Sequence, residues 1–472
     1  MPELRLDPDR LFPADPATRV LARELHEAVA GLPIVSPHGH CDPAWFAENA
    51  PIPNPADLLI TPDHYVFRML HSTGVTLADL GIRPLDGEPY EADPRVIWRR
   101  FAERYHLFRG TPSRLWLDWV FAEVFGLDQR LTGDVADLYY DAIEAALATP
   151  DFCPRALFER FNIEVLATTE NPLDPLEHHA AIRKSGWSGR VITAFRPDNV
   201  LDPEQPGFRA NLAKLADITG EDALGYSGYL RALENRRAWF RAAGATSTDH
   251  GHPTAATFDL EPQEAERLFN RVVRGASTLT PADAEIFRGH MLMQMARMSL
   301  DDGMVMQIHP GVTRNHDAAV LRRFGRDKGA DIPAGAEYVQ ALKPLLNRHG
   351  ANPRLTLIVF TLDETAYSRE LAPLAGYYPA MKLGPPWWFH DSPEGMRRFR
   401  EQATETAGFY NTVGFNDDTR AFLSIPARHD VARRTDCAFL ARLVVEHRLE
   451  RDEAHELARG LAYDFAKAAY KL

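Results

Sequence analysis

Leu32-Pro33-Ile34-Val35-Ser36-Pro37-His38-Gly39-His40 sets a short apolar, β-branched run directly before two histidines that stand two residues apart. A run this short and this apolar reads as a strand buried on both faces, and the histidines then sit at its carboxyl end. Similar runs follow at Val165–Thr169, Val191–Phe195, Ala245–Thr248, Met304–Ile308, Leu355–Phe360, Ala380–Leu383 and Asn411–Phe415. Most of the intervening segments have helical periodicity, as in Arg231–Ala243, Ala282–Leu300 and Tyr338–Arg348. Strand and helix alternating eightfold predict an α/β protein of the (β/α)8 TIM-type barrel class. An open, doubly wound sheet with one misread strand is the alternative, resting on the shortness of Ala245–Thr248 and Ala380–Leu383.

The strand ends favour the barrel. They carry His38 and His40, Thr169-Glu170-Asn171, Arg196, Asp249-His250, His309, Asp363, Trp387-Trp388 and Asp418. Polar and aromatic groups gathered at one face of such a barrel are what a catalytic site needs. The first connection is unlike the others, since about 125 residues separate the first two strands where a crossover needs a dozen or so. The expected layout is an N-terminal segment with the first strand (1–40), a mostly helical insertion (41–160), and the rest of the barrel with C-terminal helices (161–472). Within the insertion Arg95–Tyr105, Leu115–Phe125 and Leu138–Leu147 are amphipathic, and its Trp and Phe residues are expected to build a small core of their own.

Composition narrows the function classes. Hydrophobic residues are 45% and charged residues 25% of the 472, which are globular values. A net charge of −13 opposes phosphate-backbone tracking, so no nucleic-acid partner is expected. The acids and prolines of Met1-Pro2-Glu3-Leu4-Arg5-Leu6-Asp7-Pro8 break any signal-like apolar stretch, and no later run approaches the roughly 18 residues of a membrane span. A cytoplasmic protein with no membrane contact is the expectation. Cys41, Cys153 and Cys437 are odd in number and widely spaced, which excludes a disulfide framework.

His38-Gly39-His40 can aim two imidazoles to one side, and two neutral imidazoles plus a carboxylate form an open, catalytic type of divalent-metal site. Closure of a barrel makes its first and eighth strands neighbours, so the carboxylate is sought in Asn416-Asp417-Asp418-Thr419-Arg420. Either acid is available there, and Asp418 is favoured because the Arg420 cation two residues on would keep it ionised.

Together with Asp63-His64-Tyr65 and Arg68, Phe195-Arg196-Pro197-Asp198, Thr248-Asp249-His250-Gly251, Gln307-Ile308-His309, Arg314-Asn315, Trp387-Trp388-Phe389 and Asp418-Thr419-Arg420-Ala421-Phe422-Leu423-Ser424, these residues resemble the uronate (glucuronate) isomerase family of amidohydrolase-type barrels. The motifs run in order from about residue 20 to the end of the chain. The resemblance implies aldose–ketose isomerisation of hexuronates, D-glucuronate to D-fructuronate and D-galacturonate to D-tagaturonate, through a cis-enediol, with one divalent metal that is often zinc. It implies metal ligation by His38, His40 and Asp418 and chemistry by Asp418, Tyr65, His64 and Arg420. Arg196, His309, Arg314, Trp387 and Trp388 would line the hexuronate. A homo-oligomer is the expected assembly. The alternatives are a metal-dependent hydrolase on the same barrel, disfavoured by the number of arginines, and a sugar-acid binding protein without turnover.

Overall fold

The computed structural model describes residues 2–275 and 279–472. Seven strands form one parallel, curled sheet in the order β1 (Ile34–Ser36), β2 (Ile163–Glu170), β3 (Arg190–Phe195), β4 (Ser247–His250), β5 (Val305–Ile308), β8 (Leu357–Val359) and β9 (Met381–Leu383). A two-stranded antiparallel hairpin, β6 (Val312–Thr313) with β7 (Ile332–Pro333), stands apart from it. The short apolar runs are strands because both faces are covered: nearly every strand residue is buried.

Two of the expected elements shift. Among the described residues the run Asn411–Phe415 makes a single parallel bridge, Thr412 to Leu383, rather than a strand. Gly414 explains this: its φ of +76° lies in the left-handed region, which a continuing ladder cannot accommodate. The chain instead meets the first strand's end through one backbone bond, His40 N–H to the Thr419 carbonyl at 3.0 Å. The helix expected over Tyr338–Arg348 starts only at Lys343 and runs to His349. Pro344 has no N–H and its ring clashes with the carbonyl four residues back, so it is tolerated only in the first turn.

Many helices open with a capping side chain and then proline: Asp15-Pro16, Asp42-Pro43, Asn54-Pro55, Asp93-Pro94, Thr111-Pro112, Thr280-Pro281 and Ser392-Pro393. In each the cap oxygen accepts a backbone N–H of the first turn, a bond contributing about 1 kcal/mol. Helices fill the connection between β1 and β2, including Pro94–Glu103, Pro112–Trp119 and Ala136–Leu147. Their aromatic centre, Trp98, Phe101, Tyr105, Phe108, Phe121 and Tyr139, is fully buried. It is not a separate core, because the same apolar cluster runs on through Ile34, Ile163 and Leu166 of the sheet. The chain ends in a helix, Phe465–Tyr470, whose Tyr470 hydroxyl donates to Gln307 Oε1 at 2.7 Å. Gln307 shares a face with His309, so this helix closes the sheet below the residues at its carboxyl end.

Candidate active site

A cavity of about 390 Å³ opens at the carboxyl ends of the strands, and His38, His40, His64, Tyr65, Arg196, His309, Arg314, Trp387, Trp388, Asp418 and Arg420 all line it. Local structure aims each group. Ser36-Pro37 carries the chain out of β1 into His38 and His40, whose rings meet edge to face at 5.3 Å. Asp63 caps the helix His64–His71, its Oδ1 accepting the Tyr65 N–H at 2.8 Å, so His64 and Tyr65 form a helix start facing the cavity. Asp418, Trp388 and Asn315 adopt φ values of +40°, +53° and +52°. That conformation is costly for a side chain as bulky as Trp, and strain of this kind concentrates at functional sites.

Asp418 Oδ1 lies 3.5 Å from His38 Nε2 and 3.1 Å from His40 Nε2. Ligand atoms of His38, His309 and Asp418 lie within 4.8 Å of one another. Yet His309 Nε2, buried, has no hydrogen-bond partner. Burial pushes the His40 imidazole below its usual range against the pull of Asp418, and it likewise lowers His309. Burial alone would raise the Asp418 carboxyl, but His38 and His40 facing it hold it well below the ordinary range. Imidazole nitrogens of His38 and His309 and a carboxylate oxygen of Asp418 converging on one point, with His309 Nε2 buried and unpartnered, are a set that a divalent cation fits. His309, expected along the substrate, therefore stands with the donors.

Asp249, which the sequence places at a strand end without assigning it a role, joins the two sides of the site. It is completely buried on β4 and accepts the His309 Nδ1–H at 2.7 Å on one oxygen and Arg196 Nη1 at 3.0 Å on the other. Burial opposes its charge, but Arg196 and His309 outweigh it and the carboxyl lies well below its usual range. This bond leaves His309 Nε2 unprotonated and turned to the cavity. Arg196 is also bound by Asp198, Nε to Oδ2 at 3.0 Å. Arg314 is held by Asp331 at 3.0 Å and lies over the Trp388 ring at 5.2 Å. Asp331 follows Arg314 by 17 residues, and no local pattern announces the pair. His64 is driven well below its usual range by burial and by the Arg420 cation.

A second convergent group, Asp198, His250 and His252, lies behind Arg196. Its carboxylate is already engaged, both oxygens accepting the Gly251 N–H at 3.1 Å and one accepting Arg196.

Comparison with known proteins agrees with this geometry. The glucuronate isomerase family pattern matches residues 17–470. The uronate isomerase of Rhizorhabdus wittichii is 68% identical over 469 residues, 99% of each chain. The crystal structure of glucuronate isomerase from Caulobacter crescentus superposes with a TM-score of 0.98 at 62% identity, covering 100% of this chain and 98% of that one. That of the Thermotoga maritima uronate isomerase gives 0.91 at 25% identity over 99% of both. Motifs in register, a shared fold and identity along nearly every residue lead to one assignment: the chain belongs to the glucuronate isomerase family.

Proposed function

We propose that this chain interconverts aldose and ketose hexuronates, D-glucuronate with D-fructuronate and D-galacturonate with D-tagaturonate, by moving a proton between C2 and C1 through a cis-enediol. The observation that carries the reading is one cavity holding a buried cation donor set beside a tyrosine and four arginines, Arg196, Arg314, Arg326 and Arg420. His38, His40 and Asp418 would hold one divalent metal, zinc in our reading, with His309 alongside. When bound, that ion supplies a template and Lewis acid for the sugar acid's oxygens.

The protein groups do the proton work. A carboxylate at Asp418 is the base for C2, the Tyr65 hydroxyl carries protons between O1 and O2, and His64, kept neutral, presents a hydrogen-bonding edge beside them. Arg420 faces the charge that develops on the enediol, and Arg196 and Arg314, each pre-aimed by a carboxylate, grip the substrate's carboxylate and hydroxyls. Trp387 and Trp388 wall the cavity and exclude water. We read residues 41–160 as a helical insertion in an eight-unit barrel, the enzyme as cytoplasmic, and its assembly as a homo-oligomer. Proton NMR of D-glucuronate incubated with the purified protein tests the proposal: ketose signals must grow in, and an unchanged sugar after prolonged incubation with metal-loaded protein would refute it.

A further inference from the structure

Behind the Tyr65 phenol lies a charge outside the cavity lining. Arg428 is 1% exposed, on the helix Ile425–Val445. Its guanidinium carbon stands 3.6 Å from the centre of the Trp116 ring and 5.3 Å from that of Tyr65, and the two rings meet edge to face at 5.8 Å. Nη1 donates to Asp391 Oδ2, Nε donates to Ser424 Oγ at 3.0 Å, and Nη1 also approaches the Asp417 carbonyl at 3.5 Å. One guanidinium is thereby tied to the segments that carry Tyr65, Trp388 and Asp418.

Packing stability does not explain this arrangement. A buried ion pair is seldom more stable than an apolar substitute of the same volume. Burial also pushes the Asp391 carboxyl up to about 7 in spite of Arg428, and its Oδ1 has no partner. What the pair does achieve is a cation fixed over the Trp116 ring and, beyond it, over the ring of Tyr65.

We propose that Arg428, with Asp391 as its counter-charge, is a positioning residue for Tyr65: it fixes the plane of the phenol ring and presents a positive charge to its face. The inference rests on the reading of Tyr65 as the proton carrier. Burial pushes the Tyr65 hydroxyl up, and Arg428 is the cation that opposes this, while Asp391, Asp418 and Asp63 reinforce it. On the same helix His64 stacks on the ring at 4.6 Å, and Arg68 completes the charged groups near it.

The test is the pH profile of kcat for Arg428→Met, Arg428→Lys and Asp391→Asn, with metal content and KM measured for each, and for Arg428→Met combined with Tyr65→Phe. The limb governed by the phenol should move up by about one pH unit in Arg428→Met and down in Asp391→Asn, and stay near its place in Arg428→Lys. KM and metal content should change little. Arg428→Met should lower kcat more than about tenfold alone but less than about twofold in the Tyr65→Phe background, because its effect passes through that hydroxyl. Shifts of the same sign, no shifts, or an undiminished cost without the Tyr65 hydroxyl would each overturn the proposal. Asp391→Asn is nearly isosteric, so the sign of its shift decides the matter even where Arg428→Met does not fold. A wild-type protein that leaves D-glucuronate unchanged would instead refute the isomerase reading itself.

Discussion

Replacing Asp249 by Asn removes a charge that two neighbours depend on. Asp249 is 0% exposed and accepts Arg196 and His309 on its two oxygens. Each is a charge-assisted bond contributing roughly 1.5–3 kcal/mol, and breaking a buried pair on one side costs about 3–5 kcal/mol. The amide keeps one accepting oxygen, so a loss of about 3 kcal/mol is expected, at the lower end. The same change frees the His309 ring to turn and take the other tautomer, which should weaken metal binding by about 10–100-fold. Urea unfolding in the presence of a chelator reads the first effect, and a competition titration with a zinc indicator reads the second. An Asp249→Asn protein with unchanged metal-free stability and unchanged metal affinity would show that the Arg196–Asp249–His309 chain orders nothing.

Substitution of His38 or His40 by Ala should abolish tight metal retention, and elemental analysis of the wild type should find about one divalent ion per chain; two tightly held ions would overturn the single-metal reading. Arg314→Met and Arg196→Met should each raise KM for uronate by tenfold or more, corresponding to a lost contact of about 1.5–3 kcal/mol, as initial-rate kinetics would show. Glu170 offers a pH test of stability: burial raises its carboxyl to about 7 while Thr193 and Thr168 hold it back. With the folded value above the unfolded value of about 4.3, wild-type stability falls as pH rises from about 4 to about 7. Glu170→Gln should therefore be the more stable protein at pH 8, by about 3–4 kcal/mol, with the difference vanishing below about pH 4; a constant difference across that range would contradict the assignment.

Much of this was legible in the chain because strand ends carry both the fold and the site. His38-Gly39-His40, Arg196, His309 and Trp387-Trp388 were readable as ends of apolar runs, and the cavity is where those ends meet. The last run was misread because Gly414 looks like any strand-end glycine until its positive φ breaks the ladder. Proline placed the Lys343–His349 helix, against an apolar periodicity that began earlier. Asp331, Asp391 and Arg428 carry no such sign, and Asp249, though it stands at a strand end, shows no role in the sequence, for a different reason. Their roles are set by partners that folding brings together, as when Arg196 meets Asp249 53 residues on and Asp391 meets Arg428 37 residues on. Besides its place at a strand end, alternation on β4 puts Asp249 on the opposite face from Thr248 and His250, a local hint that it points toward the site.

The most direct test of the account follows the C2 hydrogen of D-glucuronate in deuterated water with the wild type and with Asp418→Asn. The wild type should form ketose, with the C2 hydrogen lost from that carbon and deuterium appearing in the product. Asp418→Asn should remain folded and turn over at least about a hundredfold more slowly. Near-normal turnover by Asp418→Asn with its metal in place would contradict it.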